Sequence, residues 1–137
     1  MEINVYTDGG SRGNPGVSGY GLAIYEGKKI LYQEGKFLGI KTNNEAEYSG
    51  IIAALEWIKK NKDLYNISQV NFFADSQLMI RQLQGIYKVK APTLLPLFSR
   101  VQQLLIQINL PVKYTDVRRE FNKLADELAN QAMDKRF

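Results

Sequence analysis

Four carboxylates carry the chemistry open to this chain. The sequence has no cysteine and no histidine, which removes thiolate nucleophiles, disulfides, the commonest general base and the commonest transition-metal ligand. Any reaction must run on carboxylates, amides, hydroxyls, Lys or Arg. Asp8 closes the β-rich run INVYTD, and Asp75 closes the β-rich run QVNFFAD. If those runs are parallel neighbouring strands, the two carboxylates emerge side by side at the C-terminal sheet edge, where open α/β sheets place their ligands. The alternative for each is a cap or turn after a strand, a common place for Asp.

Glu47 is more informative. A helical projection puts it on one stripe with Ile51, Ala54, Leu55 and Ile58, so its carboxylate faces the sheet. Glu45 projects to the opposite face with Ser49, Glu56, Lys59 and Lys60, which suits solvation or helix support. Capping competes for both acids, because Asn44 with Glu47 and Thr42 with Glu45 each have the spacing of a capping box. Asp126 lies early in the last helix, off the centre of a stripe through Phe121, Leu124, Ala125, Leu128 and Ala132. Locally it reads as an acid complementing the helix dipole. Acids converging on one sheet edge would repel each other unless a hard cation neutralised them. With oxygen ligands alone, magnesium or manganese is the expected cation, and carboxylate-bound pairs of such ions serve phosphodiester cleavage.

The elements that must position these acids are legible along the chain. The runs INVYT, GYGLAIY and KILYQEGKFL, with the turn EGKK between the last two, predict a three-stranded antiparallel meander. A helical period follows from Asn43 to Asn61, then the strand QVNFFAD and the helical stretch SQLMIRQLQ. After GIYKVKAP comes a helix in TLLPLFSRVQQLLIQI, with Pro96 in its first turn, and Pro111 stops it before the strand VKYTDV. A last helix runs from about Phe121 to Lys135. The order is βββαβααβα, and a right-handed crossover from INVYTD to VNFFAD makes the sheet mixed, with helices on its faces.

At 137 residues and 45% hydrophobic content, one domain with its own core is expected, since domains average about 100 to 200 residues. No repeat or linker divides it. The start MEINVYTD lacks the basic and apolar parts of a signal peptide, and no apolar run approaches the roughly 18 residues of a membrane span. The expectation is a cytoplasmic protein without membrane contact, and a monomer. Lys and Arg total 18 against 14 for Asp and Glu, a net charge of +4, which is compatible with a polyanionic partner.

Four ordered blocks now point to a family. YTDGGSRGNPG, KTNNEAEYSGIIAAL, FFADSQLMI and NKLADELANQA closely resemble the signatures of type 1 ribonuclease H, over nearly the whole chain. The resemblance implies an α/β ribonuclease H-like fold, a five-stranded mixed sheet of order 3-2-1-4-5 with helices on both faces, in one catalytic domain spanning residues 1–137. It implies a metal-dependent endonuclease that cuts the RNA strand of RNA/DNA hybrids, with little sequence preference, to leave 5′-phosphate and 3′-hydroxyl ends. Asp8, Glu47, Asp75 and Asp126 would be its catalytic, metal-binding acids, holding two magnesium ions for which manganese substitutes. Ser11, Asn14, Asn43, Asn44 and Gln77 would line the minor groove, with Thr42 near a phosphate of the DNA strand.

On this reading the glycines of GGSRGNPG form a tight loop beside the metal site, open to a wide, shallow minor groove. A plain hairpin between the first two strands is the alternative. The run is not a P-loop, because the Gly-Lys-Ser/Thr ending and the following helix are missing. Two departures from the family matter. Many relatives carry a histidine before the last helix, whereas this chain has DVRREFN and belongs with the compact histidine-less forms; Arg118 or Arg119 could hold phosphate, Glu120 could relay a proton, or all three could be solvated charges. A long basic protrusion is also missing, since GIYKVKAP offers only Lys88 and Lys90. Two rivals follow: a silent module binding hybrid or double-stranded RNA by shape, and a nuclease that also cuts double-stranded RNA. Trp57, Phe72 and Phe73 are expected to pack the core rather than stack on bases.

Overall fold

Alternation in the first 41 residues becomes three antiparallel strands. In the computed structural model, which describes residues 1–137, β1 spans Glu2–Arg12, β2 Gly16–Glu26 and β3 Lys29–Lys41. Gly27, at φ 58°, makes the tight turn between β2 and β3 that EGKK predicts. Helix α1 covers Asn43–Asn61, β4 Gln69–Ala74, α2 Gln77–Leu83, α3 Leu95–Ile108, β5 Val112–Asp116 and α4 Lys123–Lys135, with a 3-10 turn at Arg119–Phe121. The sheet order is β3-β2-β1-β4-β5. The β1–β4 and β4–β5 pairs are parallel and the others antiparallel, so the five-stranded mixed sheet is the one expected.

The two faces are built differently. Ile51, Ala54, Leu55 and Ile58 of α1 are fully buried with Ile3, Val5, Val70, Phe72, Leu104 and Ile108; each large aliphatic residue removed from water there contributes about 2 kcal/mol. On the opposite face α4 presents small residues, Ala125, Ala129 and Ala132, all buried. The adjacent β2 residues Tyr20 and Gly21 show the division: Tyr20 lies against Gly50 of α1, and Gly21 against Ala125 of α4. A Cβ on Gly21 would stand 2.1 Å from the Ala125 carbonyl oxygen, so glycine alone lets α4 sit this close. Strand β2 is therefore buried on both faces from Ser18 to Ile24.

Three expectations change. The glycine run is mostly strand: β1 continues through Gly9 and Gly10 to Arg12, and only residues 13–15 form the turn into β2. The hairpin alternative is thus the right one, because antiparallel pairing with β2 satisfies the backbone as far as Arg12↔Val17. The last helix begins at Lys123 rather than Phe121, and Phe121, in the preceding 3-10 turn, is 66% exposed instead of on the buried stripe. Asp8 does not close its strand. The aromatic expectation holds for Phe72, fully buried in the core, and for Trp57, packed against it and stacked between Tyr32 and Tyr65, whereas Phe73 is half-buried and stacks on Tyr6 outside the core.

Candidate active site

Strand register brings the two aspartates level. The β1–β4 pairing runs in parallel up to Tyr6↔Phe73, and Asp8 and Asp75 each lie two residues further on, side by side at the same edge. Beyond that point β1 pairs with β2 alone, which opens the edge above β4. Glu47 arrives from the first turns of α1, on the inward stripe that its spacing predicts. Its approach depends on Gly9, where a Cβ would stand 2.4 Å from the Ala46 carbonyl carbon and 2.5 Å from the Glu47 nitrogen. The glycine admits a helix rather than a ligand. Carboxylate oxygens of Asp8, Glu47 and Asp75 all lie within 4.8 Å of one another.

Asp126 stands outside this triad but lines the same cavity of about 340 Å³. Asn130 Nδ2 fixes it, donating to the Asp126 carbonyl at 3.0 Å and to Oδ1 at 3.3 Å. A cavity of about 440 Å³ between Tyr6, Tyr25 and the start of α4 has Glu120 as its one acid; without converging acids it is not where the chemistry lies.

Two of the four acids are buried, and the cluster is electrostatically loaded. Asp8 and Glu47 are each 7% exposed. Burial foremost, then the Asp75 charge and the hydrogen bond and charge of Asp126, push the Asp8 carboxyl from 3.8 up to about 8. Burial also holds Glu47 well above the usual carboxylate range, helped by Asp8 and Asp75 and opposed by a backbone hydrogen bond from Gly9 and by the Arg119 charge. Glu47 Oε2 is buried with no hydrogen-bond partner. An orphaned carboxylate oxygen beside two further carboxylates, with only oxygen donors at hand, fits a hard divalent cation.

The remaining candidate residues divide between scaffold and surface. Thr42 and Glu45 form the capping box of α1, Glu45 N donating to Thr42 Oγ1 and Thr42 N to Glu45 Oε1, each at 3.1 Å. That leaves Glu47 free of a capping role. Asn43 ties α1 to the β1–β2 hairpin: its Oδ1 accepts from Ser11 N at 2.7 Å, and its own N donates to Asn14 Oδ1 at 2.9 Å. Ser11, Asn43 and Asn44 line the acidic cavity, whereas Asn14 and Thr42 do not. Gln77 lines an adjoining cavity of about 590 Å³ that shares Glu47, Asp75, Ser76 and Arg119. Its Nε2 donates to Asp116 Oδ2 at 3.2 Å.

Sequence reading missed some supporting residues. The Asn130–Asp126 contact has an i, i+4 signal that was available. Asp116 and the pairing of Arg119 Nε with Asp75 Oδ2 at 3.7 Å have none, because Asp116 is placed by the β4–β5 register beside Ala74 and Arg119 by how the turn after β5 folds back.

Comparison with known proteins agrees with this geometry. The RNase H family model matches residues 1–134. A bifunctional protein of Mycobacterium tuberculosis is 39% identical over 98% of this chain and 36% of its own length. Ribonuclease HI of Halobacterium salinarum is 36% identical over 96% of this chain and 64% of its own. The chain thus spans between a third and two thirds of the length of these two relatives. The crystal structure of LC11-RNase H1 in complex with an RNA/DNA hybrid covers 98% of both chains, with 39% identity and a TM-score of 0.92. In family profile, fold and overall sequence alike, the chain belongs to the RNase H family.

Proposed function

We propose that this chain is a metal-dependent endonuclease that hydrolyses the RNA strand of RNA/DNA hybrids, with little sequence preference, leaving 5′-phosphate and 3′-hydroxyl ends. The observation that carries the reading is the close triad of Asp8, Glu47 and Asp75 with its orphaned Glu47 oxygen, in a chain of the RNase H family. Similarity to LC11-RNase H1, solved with a hybrid, supports the substrate class.

In this reading Asp8, Glu47, Asp75 and Asp126 hold two divalent cations, magnesium with manganese as a substitute. The chemistry supplied when cations are bound is activation of the attacking water and stabilisation of the leaving 3′ oxygen. The chain's own part is to hold the acids in register, to bury Asp8 and Glu47 so that charges there act strongly, and to position the duplex. Ser11, Asn14, Asn43, Asn44 and Gln77 offer amide and hydroxyl groups to the minor groove, where 2′-hydroxyls distinguish RNA from DNA. Thr42 Oγ1 is engaged by the capping box, so a phosphate of the DNA strand would meet Thr42 beside the start of α1. The proposed working state is a monomer in the cytoplasm.

The test is cleavage of end-labelled RNA in four matched duplexes: hybrid, double-stranded RNA, double-stranded DNA, and DNA with one ribonucleotide, each with magnesium, manganese or chelator. Cleavage confined to the hybrid and dependent on metal is the expected result. Cutting of double-stranded RNA as well would widen the substrate. Tight hybrid binding by folded protein with no cleavage would replace the enzyme reading with that of a binding module.

A further inference from the structure

Gln77 and Arg81 lie one turn apart on α2, so they share a face, and between them they hold one carboxylate. Asp116, the last residue of β5, stands beside Ala74 of β4 by strand register. Its two oxygens are divided: Oδ2 accepts from Gln77 Nε2 at 3.2 Å, and Oδ1 lies 3.5 Å from Arg81 Nη1. The Gln77 hydrogen bond foremost holds the Asp116 carboxyl below its ordinary value, and an ionised carboxylate only accepts. That fixes which way round the Gln77 amide sits. Its nitrogen must face Asp116, so its oxygen faces away and takes no hydrogen bond from the chain. Gln77 is exposed, and it lines the cavity of about 590 Å³ that it shares with Asp116, Glu47 and Asp75. Left to rotate, an exposed amide would offer donor and acceptor alike; held by Asp116, it presents its acceptor.

We propose that Asp116 is a positioning residue for recognition of the duplex: by holding the Gln77 nitrogen it turns Gln77 Oε1 to a hydrogen-bond donor in the minor groove. The inference rests on the hybrid-cleavage reading above and names the chemistry that one of its contacts selects. Two groups in that groove donate, the ribose 2′-hydroxyl and the guanine 2-amino group. Adenine N3 and thymine O2 only accept, so they would repel the oxygen. Asp116 does not touch the substrate in this role; it acts through Gln77 alone.

The test is cleavage by the full chain, with magnesium, of one hybrid and of two sets of its single-site variants. One set carries 2′-fluoro for 2′-hydroxyl along the RNA, away from the cut phosphate, and the other hypoxanthine for guanine along either strand. Each change deletes one minor-groove donor, so the first set reports the 2′-hydroxyl and the second the 2-amino group. For the wild type, at least one position should cost about three- to tenfold in kcat/KM, the worth of one hydrogen bond, and Gln77→Ala should erase that cost. Asp116→Ala should slow the parent hybrid by a similar factor, through KM rather than kcat, and erase the cost at the same position while costs elsewhere persist. The double variant should be no slower than either single one. A merely structural role would slow every substrate alike and leave that cost in place. A cost that Gln77→Ala erases but Asp116→Ala does not would overturn the inference, as would a wild type with no cost that Gln77→Ala erases. A wild type that cleaves no hybrid would instead overturn the reading of function, and this inference with it.

Discussion

Replacing Asp8 with Asn should stabilise the metal-free protein while removing its activity, and the size of the gain should depend on pH. The Asp8 carboxyl titrates at about 8 in the fold against 3.8 as its ordinary value. Its folded value is raised, so its proton stabilises the fold fully below about pH 4, and that contribution is lost as pH rises through about 8. A shift of about 4 units sets a ceiling of about 6 kcal/mol, at about 1.4 kcal/mol per unit. Water drawn into the charged cluster and small movements of Asp75 and Glu47 should leave about half of it. Asparagine keeps the shape of the side chain and carries no charge at any pH. The assay is thermal unfolding in chelator at pH 5, 7 and 9. The variant should melt higher at pH 9 by about 5 to 10 °C, since each kcal/mol is worth about 3 °C in a chain of this size. The gap should widen between about pH 4 and 8 and level off above. Excess divalent cation at pH 9 should close or reverse it, because cation binding stabilises the wild type. A gap independent of pH, or a wild type that melts higher at pH 9 in chelator, would refute the reasoning.

Two further substitutions separate roles that lie close in sequence. Glu47→Gln should lower hybrid cleavage and Mn²⁺ affinity by orders of magnitude, whereas Glu45→Gln preserves the capping box and should change melting by under about 2 °C and leave cleavage near wild type; the reverse pattern in parallel cleavage and melting assays would place the wrong acid in the site. Gly21→Ala puts a methyl group against the Ala125 carbonyl and the Ala129 nitrogen, forcing α4 outward with Asp126 on it. A loss of about 2 kcal/mol or more in denaturant unfolding is expected, together with reduced cleavage, and an unchanged midpoint would mean that α4 is not held this tightly.

Much of the site was legible from local pattern, because local pattern reports which way a side chain faces. The period of α1 put Glu47 inward with Ile51 and Ile58 and Glu45 outward, and burial of Glu47 with capping by Glu45 follows that division. Alternation and turn chemistry marked each strand, and the order of elements followed. The convergence of Asp8 and Asp75 was conditional on a parallel crossover, which the β1–β4 register satisfies. Tertiary structure decided the rest. Nothing near Gly9 in sequence says that a helix begun more than 30 residues later lies against it, so a run suited to a ligand loop proved to be strand with room for α1. Asp126 looked like a dipole acid because its own helix is all that its neighbours report; its place at the acidic cavity depends on α4 settling against the glycines of β2. Arg119 gave no sign of pairing with Asp75 for the same reason. Periodicity encodes the direction of a side chain relative to its own element, whereas close approach, shared burial and charge pairing belong to two elements at once. Those last three are what turn four acids into a site.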